Sequence, residues 1–243
     1  MARTAPHNAS KKATAGSPPS KLDKQAGSSK RDSARSKRAI LDASLIEFST
    51  LGYAGARIDA VAERAGVSKP LIYSYFGDKD QLYAAALREA YVQIRAGEQD
   101  LNLDHKDPET AIRDLVDFTL DHFRKKPWFI SMLNTENLRG GTTIRKISDV
   151  SDIQSHLLNE LGRLLERGVA LGIFRPGIAP VDLYITIASL CYFPISNAHT
   201  LSAVFGASMD DAWLTQRSAD IGEMVIRFLR PQDPANTSGN NSA

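Results

Sequence analysis

The chain has 243 residues, 42% of them apolar, which is an ordinary soluble composition with material for one large domain or two modest ones. Its single cysteine, Cys191, excludes an internal disulfide and fits a reducing cytoplasm, and no apolar run is long enough to cross a membrane. The net charge of +2 hides an asymmetry: residues 1–38 hold ten Lys and Arg against two Asp, so the rest of the chain is net negative.

Residues 1–32 are rich in Ser, Ala, Lys and Arg and nearly free of large apolar side chains, so they cannot bury enough surface to offset the entropy of ordering. A disordered basic tail is expected there, without the apolar run of a secretory signal. Its functional reading is an arm that follows a phosphate backbone; the plain alternative is a solubilising extension. From about Ser33 to Thr50 a first helix carries Leu41, Leu45 and Phe48 on one stripe, and Gly52 is expected to end it as a left-handed C-cap.

The stretch Ile58–Tyr83, IDAVAERAGVSKPLIYSYFGDKDQLY, then reads as a helix-turn-helix. Ile58, Val61, Ala62 and Ala65 share a helical face that halts at Gly66, where the chain turns without a Cβ penalty. Ser68 is placed to cap a second helix beginning at Lys69, with Pro70 tolerated in its first turn. Ile72 and Phe76, four apart, point inward and leave Lys69, Pro70, Leu71, Tyr73, Ser74 and Tyr75 wholly or partly outward. A cation, two phenols, a hydroxyl and an aliphatic group suit a major groove, whereas a merely solvated face would be Glu and Lys. Asp78 and Gln81 form a capping box for the next helix, with Lys79 in its first turn.

These residues resemble the DNA-binding domain of the TetR family of bacterial transcriptional regulators. The resemblance is carried by Gly52-Tyr53, by Val61 through Lys69 (VAERAGVSK) across the turn, by Tyr73-Ser74-Tyr75-Phe76, and by Lys79 and Leu82, an ordered set over about fifty residues. One departure is Arg57, where the family commonly has Thr or Ser; a cation cannot cap with an oxygen, so Arg57 is assigned to a phosphate instead. The resemblance also implies a phosphate contact for Lys79. The expected DNA-binding set is then Arg57, Ser68, Lys69, Pro70, Leu71, Tyr73, Ser74, Tyr75 and Lys79, with Lys69, Pro70, Leu71 and Ser74 toward bases and Tyr73, Tyr75, Lys79 and Arg57 toward phosphates.

A fourth helix through Leu82, Ala85, Leu87 and Tyr91 to about Arg95 links this head, residues 33–96, to a second domain, 97–230. Asp107-Pro108-Glu109 is a helix start followed by Ile112, Val116, Leu120 and Phe123, and another helix follows from Pro127. Residues 149–171 repeat the pattern until Gly172. Val181–Phe193 is apolar on nearly all sides, which predicts a helix buried on several faces at once, interrupted by Pro194. The last helix, about Asp210 to Leu229, presents Leu214, Ile221, Met224, Val225 and Phe228 as a stripe with nothing left in the chain to cover it. No strand-like alternation is present, so the expected fold is all-α: an N-terminal three-helix head plus a C-terminal helical ligand-binding and dimerisation domain, then a frayed tail over 231–243.

In the resembled family the last two long helices pair between subunits as a four-helix bundle, DNA sites are two-fold symmetric, and a small-molecule effector fills the second domain. The resemblance thus implies a repressor that binds a palindromic double-stranded DNA operator as a homodimer and is released by a small-molecule effector. Polar residues embedded in apolar helices are the pocket candidates: His122, Trp128, Asn134, Asn137, Tyr192 and Asn197, with Glu136, Cys191, Ser196 and His199 nearby in sequence. For any one of them a satisfied structural hydrogen bond is the blander reading.

Catalysis is not expected. The five histidines lack H-x-x-x-H and H-E-x-x-H spacing, and there is no G-x-S-x-G elbow or phosphate loop, so no metal, cofactor or catalytic residue is assigned. The sequence therefore points to a cytoplasmic, nucleoid-associated transcriptional regulator, with an effector-independent architectural DNA-binding protein as the alternative.

Overall fold

The computed structural model describes residues 21–231, and the expected tails over 1–20 and 232–243 lie outside the described residues. Ten α-helices and two short 3-10 turns make up the described chain, with no strand among the described residues. The head consists of α1 (Lys21–Gly55), α2 (Ile58–Ala65), α3 (Lys69–Phe76) and the first half of α4 (Lys79–Gln99). Behind it lie α5 (Pro108–Lys125), α6 (Pro127–Leu138), α7 (Val150–Ala170), α8 (Pro180–Ser196), α9 (Ala198–Phe205) and α10 (Asp211–Leu229).

Helix α1 begins at Lys21 rather than Ser33, so residues 21–32, read as tail from their composition, extend it. Ala, Lys, Arg and Gln are adequate helix formers, and adding a residue to an existing helix avoids the cost of nucleation. The inward stripe of α1 uses Ile40, Leu45 and Phe48, all buried, while Leu41 is only half-buried. At Gly52 the chain breaks step: φ is 66° as expected for a glycine exit, but ψ is 177°, so this is a kink followed by one further turn and not a left-handed cap. The kink lets Tyr53 lie against Tyr83 of α4, ring centroids 5.2 Å apart, with Phe48 5.0 Å from Tyr83 and stacked on Tyr53 at 6.4 Å.

Local signals set most other boundaries. Gly66 adopts the left-handed conformation (φ 65°, ψ 33°), and the next amide, Val67 N, donates back to Ala62 O at 3.0 Å, closing α2. The Asp78–Gln81 capping box forms in both directions, with Gln81 N donating to Asp78 Oδ1 at 2.8 Å and Asp78 N to Gln81 Oε1 at 3.2 Å. Asp107 and Asp210 cap α5 and α10, accepting from Thr110 N (3.1 Å) and Trp213 N (2.9 Å).

Helix α8 departs from expectation. Its residues divide into three stripes at four-residue spacing. Leu183, Ile187 and Cys191 are buried in the core, Tyr184, Ala188 and Tyr192 border a cavity, and Val181, Ile185 and Phe193 are 45%, 54% and 58% exposed. It is thus apolar all round although only one stripe is buried in the core, one borders the cavity and one is open to solvent. Met224 and Phe228 of α10 are likewise 43% and 47% exposed, while Ile221 and Val225 on the same helix are buried.

Candidate functional site

Helix α3 is anchored by the fully buried Ile72 and presents Pro70, Tyr73 and Ser74 to solvent, with Leu71, Tyr75 and Lys69 partly open. Ser68 occupies the N-cap position with extended backbone, but its hydroxyl makes no capping bond; its carbonyl accepts Leu71 N at 3.0 Å instead. The expected hydroxyl cap is therefore absent, and the exposed Ser68 hydroxyl is left without a bond to the helix.

The cations expected around α3 are present and partly engaged. Lys69 Nζ lies 2.9 Å from Asp59 Oδ1 of α2, and each charge favours the ionised form of the other through that contact, lowering the Asp59 carboxyl and raising the Lys69 ammonium. Lys79 Nζ donates to Ala54 O at 3.4 Å and sits 4.9 Å from the Tyr53 ring centroid, so the start of α4 is tied to the end of α1. The exposed Arg57 side chain does not cap α2; its backbone amide donates instead to Glu47 Oε1 of α1 at 3.1 Å. Lys37, which sequence reading missed, rests 5.1 Å from the Tyr75 ring centroid and extends the cationic rim along α1. Its position on a polar face of α1 gave no signal of proximity to α3.

In the second part of the molecule a cavity of about 320 Å³ runs along α8. It is lined by Tyr184, Ala188, Ser189 and Tyr192 of α8, Tyr91 of α4, Phe123 of α5, Phe129 and Leu133 of α6, and Gln154 of α7. Three larger hollows, about 440, 470 and 370 Å³, have no aromatic walls and lie beside the α7–α8 turn, between α5 and α10, and along α10. Of the six candidates named from sequence, Tyr192 borders the cavity and Asn134 bonds to it, accepting from the Tyr192 hydroxyl and donating to Ser196 Oγ at 3.3 Å. His122 lies directly behind the wall, its ring 5.3 Å from Phe129 and 6.3 Å from Phe123, with Nε2 buried and without a hydrogen-bond partner. Burial and the nearby Lys126 and Arg95 charges push its pKa down to about 4, so it is neutral at neutral pH.

The other three are elsewhere. Asn137 is exposed and donates to Leu133 O (2.9 Å), Asn197 donates to Phe193 O (3.0 Å), and Trp128 packs edge-on against Phe129 beneath Lys126. Each asparagine satisfies its own helix one turn back, which sequence spacing alone does not reveal. Glu136 is also structural, its Oε1 accepting Thr143 N (2.6 Å) and Ile144 N (2.9 Å).

Sequence reading missed the charged pair at the Tyr184 end. Arg95 and Glu98 of α4 are 5% and 1% exposed and lie 2.6 Å apart, and Arg95 Nη2 donates to the Tyr184 hydroxyl at 2.6 Å. Burial pushes the Glu98 carboxyl up to about 7 against the pull of Arg95. The i, i+3 spacing was visible, but only the packing of α7 on α4 and the reach of Tyr184 from α8 reveal that the pair is interior. Among the described residues no cluster of His, Cys, Asp and Glu has the makings of a metal site, and no helix is long and apolar enough to cross a membrane.

Residues 40–86 match the model for bacterial regulatory proteins of the tetR family, and residues 108–225 match the tetracyclin repressor-like C-terminal domain. The chain is 36% identical over 201 residues to the HTH-type transcriptional repressor NicS of Pseudomonas putida, covering 81% of this chain and 93% of that protein. It is 28% identical over 214 residues to the HTH-type transcriptional regulator RutR of Escherichia coli K12, covering 86% and 97%. Among solved structures, it superposes on the transcriptional regulator FadR from Bacillus subtilis in complex with stearoyl-CoA with a TM-score of 0.61 at 19% identity, covering 78% of this chain and 97% of that one. A regulator from Streptomyces coelicolor, SCO4942, gives 0.60 at 23% identity, covering 81% and 99%.

Proposed function

The chain belongs to the TetR family of bacterial transcriptional regulators, and from that premise we propose that it is a dimeric repressor that binds a palindromic operator and is released by a small-molecule effector held in the α8 cavity. The observation that carries the reading is the outer face of α3. Pro70, Tyr73 and Ser74 project from a short helix anchored by Ile72, while Lys37, Arg57, Lys69 and Lys79 surround it. Side chains of this kind on the N-terminal part of a second helix reach base edges, and the flanking cations reach phosphates.

Two heads are required for tight binding. The exposed stripes of α8 and α10 supply a self-complementary apolar face of the sort that a two-fold interface covers. Two heads held roughly 34–36 Å apart would meet successive major-groove faces, which fits an inverted repeat. A protein acting this way works on cytoplasmic DNA.

The test is selection of bound fragments from the source genome by the purified full chain at physiological salt. A short inverted repeat is expected. Ser74→Ala should change the recovered sequence, whereas Lys79→Ala should weaken all sites alike and lower the salt slope by about one per head. Diffuse binding without a repeat, or identical effects of the two substitutions, would overturn the reading.

A further inference from the structure

We propose that the α8 cavity takes a small aromatic carboxylate, whose anionic group accepts from the Tyr184 hydroxyl with Arg95 directly behind it. The proposal rests on the effector-cavity reading and adds the ligand's charge and shape to it.

Arg95 has the character of an unfinished binding group. A guanidinium carries five N–H donors, and a buried one normally has them occupied. Here Nη2 reaches the Tyr184 oxygen, but Nε and Nη1 are buried with no directed acceptor, and neither Glu98 oxygen receives a hydrogen bond although the two charges are 2.6 Å apart. The pair is close but misaligned. Arg95 also stacks on the Tyr184 ring, Cζ 4.9 Å from its centroid, so the guanidinium rests against the phenol that borders the cavity while itself lining a separate hollow of about 220 Å³ beside α7.

Tyr184 is the part of that pair that borders the cavity. Its oxygen already accepts from a cation, which strengthens its O–H as a donor, and among the described residues that proton has no acceptor. An oxygen anion placed there satisfies it; a neutral group does so weakly, and a cation is repelled by Arg95. Glu98 offsets the Arg95 charge only in part near neutral pH, because burial raises its carboxyl to about 7 against the pull of Arg95.

Shape follows from the walls. Tyr91, Phe123 and Phe129 line the space and pack on one another, with ring centroids 6.1 Å (Tyr91–Phe129) and 5.9 Å (Phe123–Phe129) apart, so they form a continuous aromatic wall against which a flat ring can lie. Tyr184 and Tyr192 are eight residues apart on α8, about 12 Å of helix, and the Tyr192 end is the neutral Tyr192–Asn134–Ser196 chain. A volume of about 320 Å³ is at the small end for ligand sites. The occupant is therefore compact, planar and charged at one end only.

Benzoate and its uncharged counterpart benzamide test this on the full chain by calorimetry and thermal unfolding. Benzoate should bind about tenfold tighter or more, the difference made by one charge-assisted hydrogen bond. Tyr184→Phe should reduce that ratio to roughly twofold or less, and so should the charge-neutral pair Arg95→Gln with Glu98→Gln, which strands no buried ion. Ala188→Trp should abolish binding of both probes. Equal affinity for the two probes with Ala188→Trp still blocking them overturns the anion assignment and leaves the effector cavity standing. Benzoate binding indifferent to Ala188→Trp overturns the cavity reading itself. No benzoate binding at any soluble concentration, or an anion preference that survives Tyr184→Phe, also overturns the proposal.

Discussion

Two buried titratable residues near the cavity act on stability in opposite directions. His122 is held neutral, its pKa lowered from 6.5 to about 4 chiefly by burial, so the stability it contributes is fully present above 6.5 and is lost as pH falls toward 4. Glu98 is raised from 4.5 to about 7, again chiefly by burial, so its contribution is fully present below 4.5 and is lost as pH rises toward 7. Each shift corresponds to something on the order of 3 kcal/mol across its window, and the windows overlap, so the two largely cancel in the wild-type chain. Removing one should unmask the other. Glu98→Gln is expected to make the protein lose stability on acidification between about 6.5 and 4, and His122→Asn to make it lose stability on going from about 4.5 to 7. Denaturant melts across that range would show slopes of opposite sign; parallel curves would mean the two groups are not buried as described. Neither residue was legible in this role. Glu98 falls in the polar stretch after Tyr91, and only its contact with α7 and α8, around Glu160 and Tyr184, removes it from water.

Among the elements, α6 joins cavity to head. Phe129 and Leu133 of α6 border the cavity, and just past its end Arg139 lays its guanidinium 3.6 Å from the Tyr53 ring centroid and 5.4 Å from that of Tyr83. The helix also packs along α1. Arg139→Ala is expected to cost about 1–2 kcal/mol in urea unfolding, the value of a cation–π contact withdrawn from water, and Arg139→Lys to recover little, because an ammonium cannot stack as a plane. An unchanged midpoint for Arg139→Ala would remove α6 as the mechanical joint. The head elements were readable because their signals are local: Gly66 for the turn, Pro70 at a helix start, and Asp78 with Gln81 three residues on. The cavity was only partly readable because its walls come from five helices, and the Arg95–Tyr184 bond spans 89 residues of sequence. Tyr192 and Asn134 were found by their polarity in apolar surroundings; the Phe123 and Phe129 walls look like any other core residues until the helices are packed.

For the whole molecule, the exposed stripes of Val181, Ile185 and Phe193 on α8 and of Met224 and Phe228 on α10 predict association. Replacing Ile185 and Met224 together by Glu should yield a monomer in sedimentation, with operator affinity reduced by tenfold or more because each head then binds alone. A variant that stays dimeric would place the interface on another surface. The double substitution falls on exposed positions, so the fold itself should tolerate it.

The Lys69–Asp59 pair bears on how such a protein searches DNA. A reading-helix cation that already has a partner on its own molecule gives up one counter-charge to gain another when it meets a phosphate or a base edge, so its net gain on an arbitrary sequence is small. The aspartate, meanwhile, is repelled by any phosphate that approaches without the lysine in place. If α3 reads DNA as proposed, departure from a wrong site is expected to be quick, with dwell time set by the groups that face the groove unpaired.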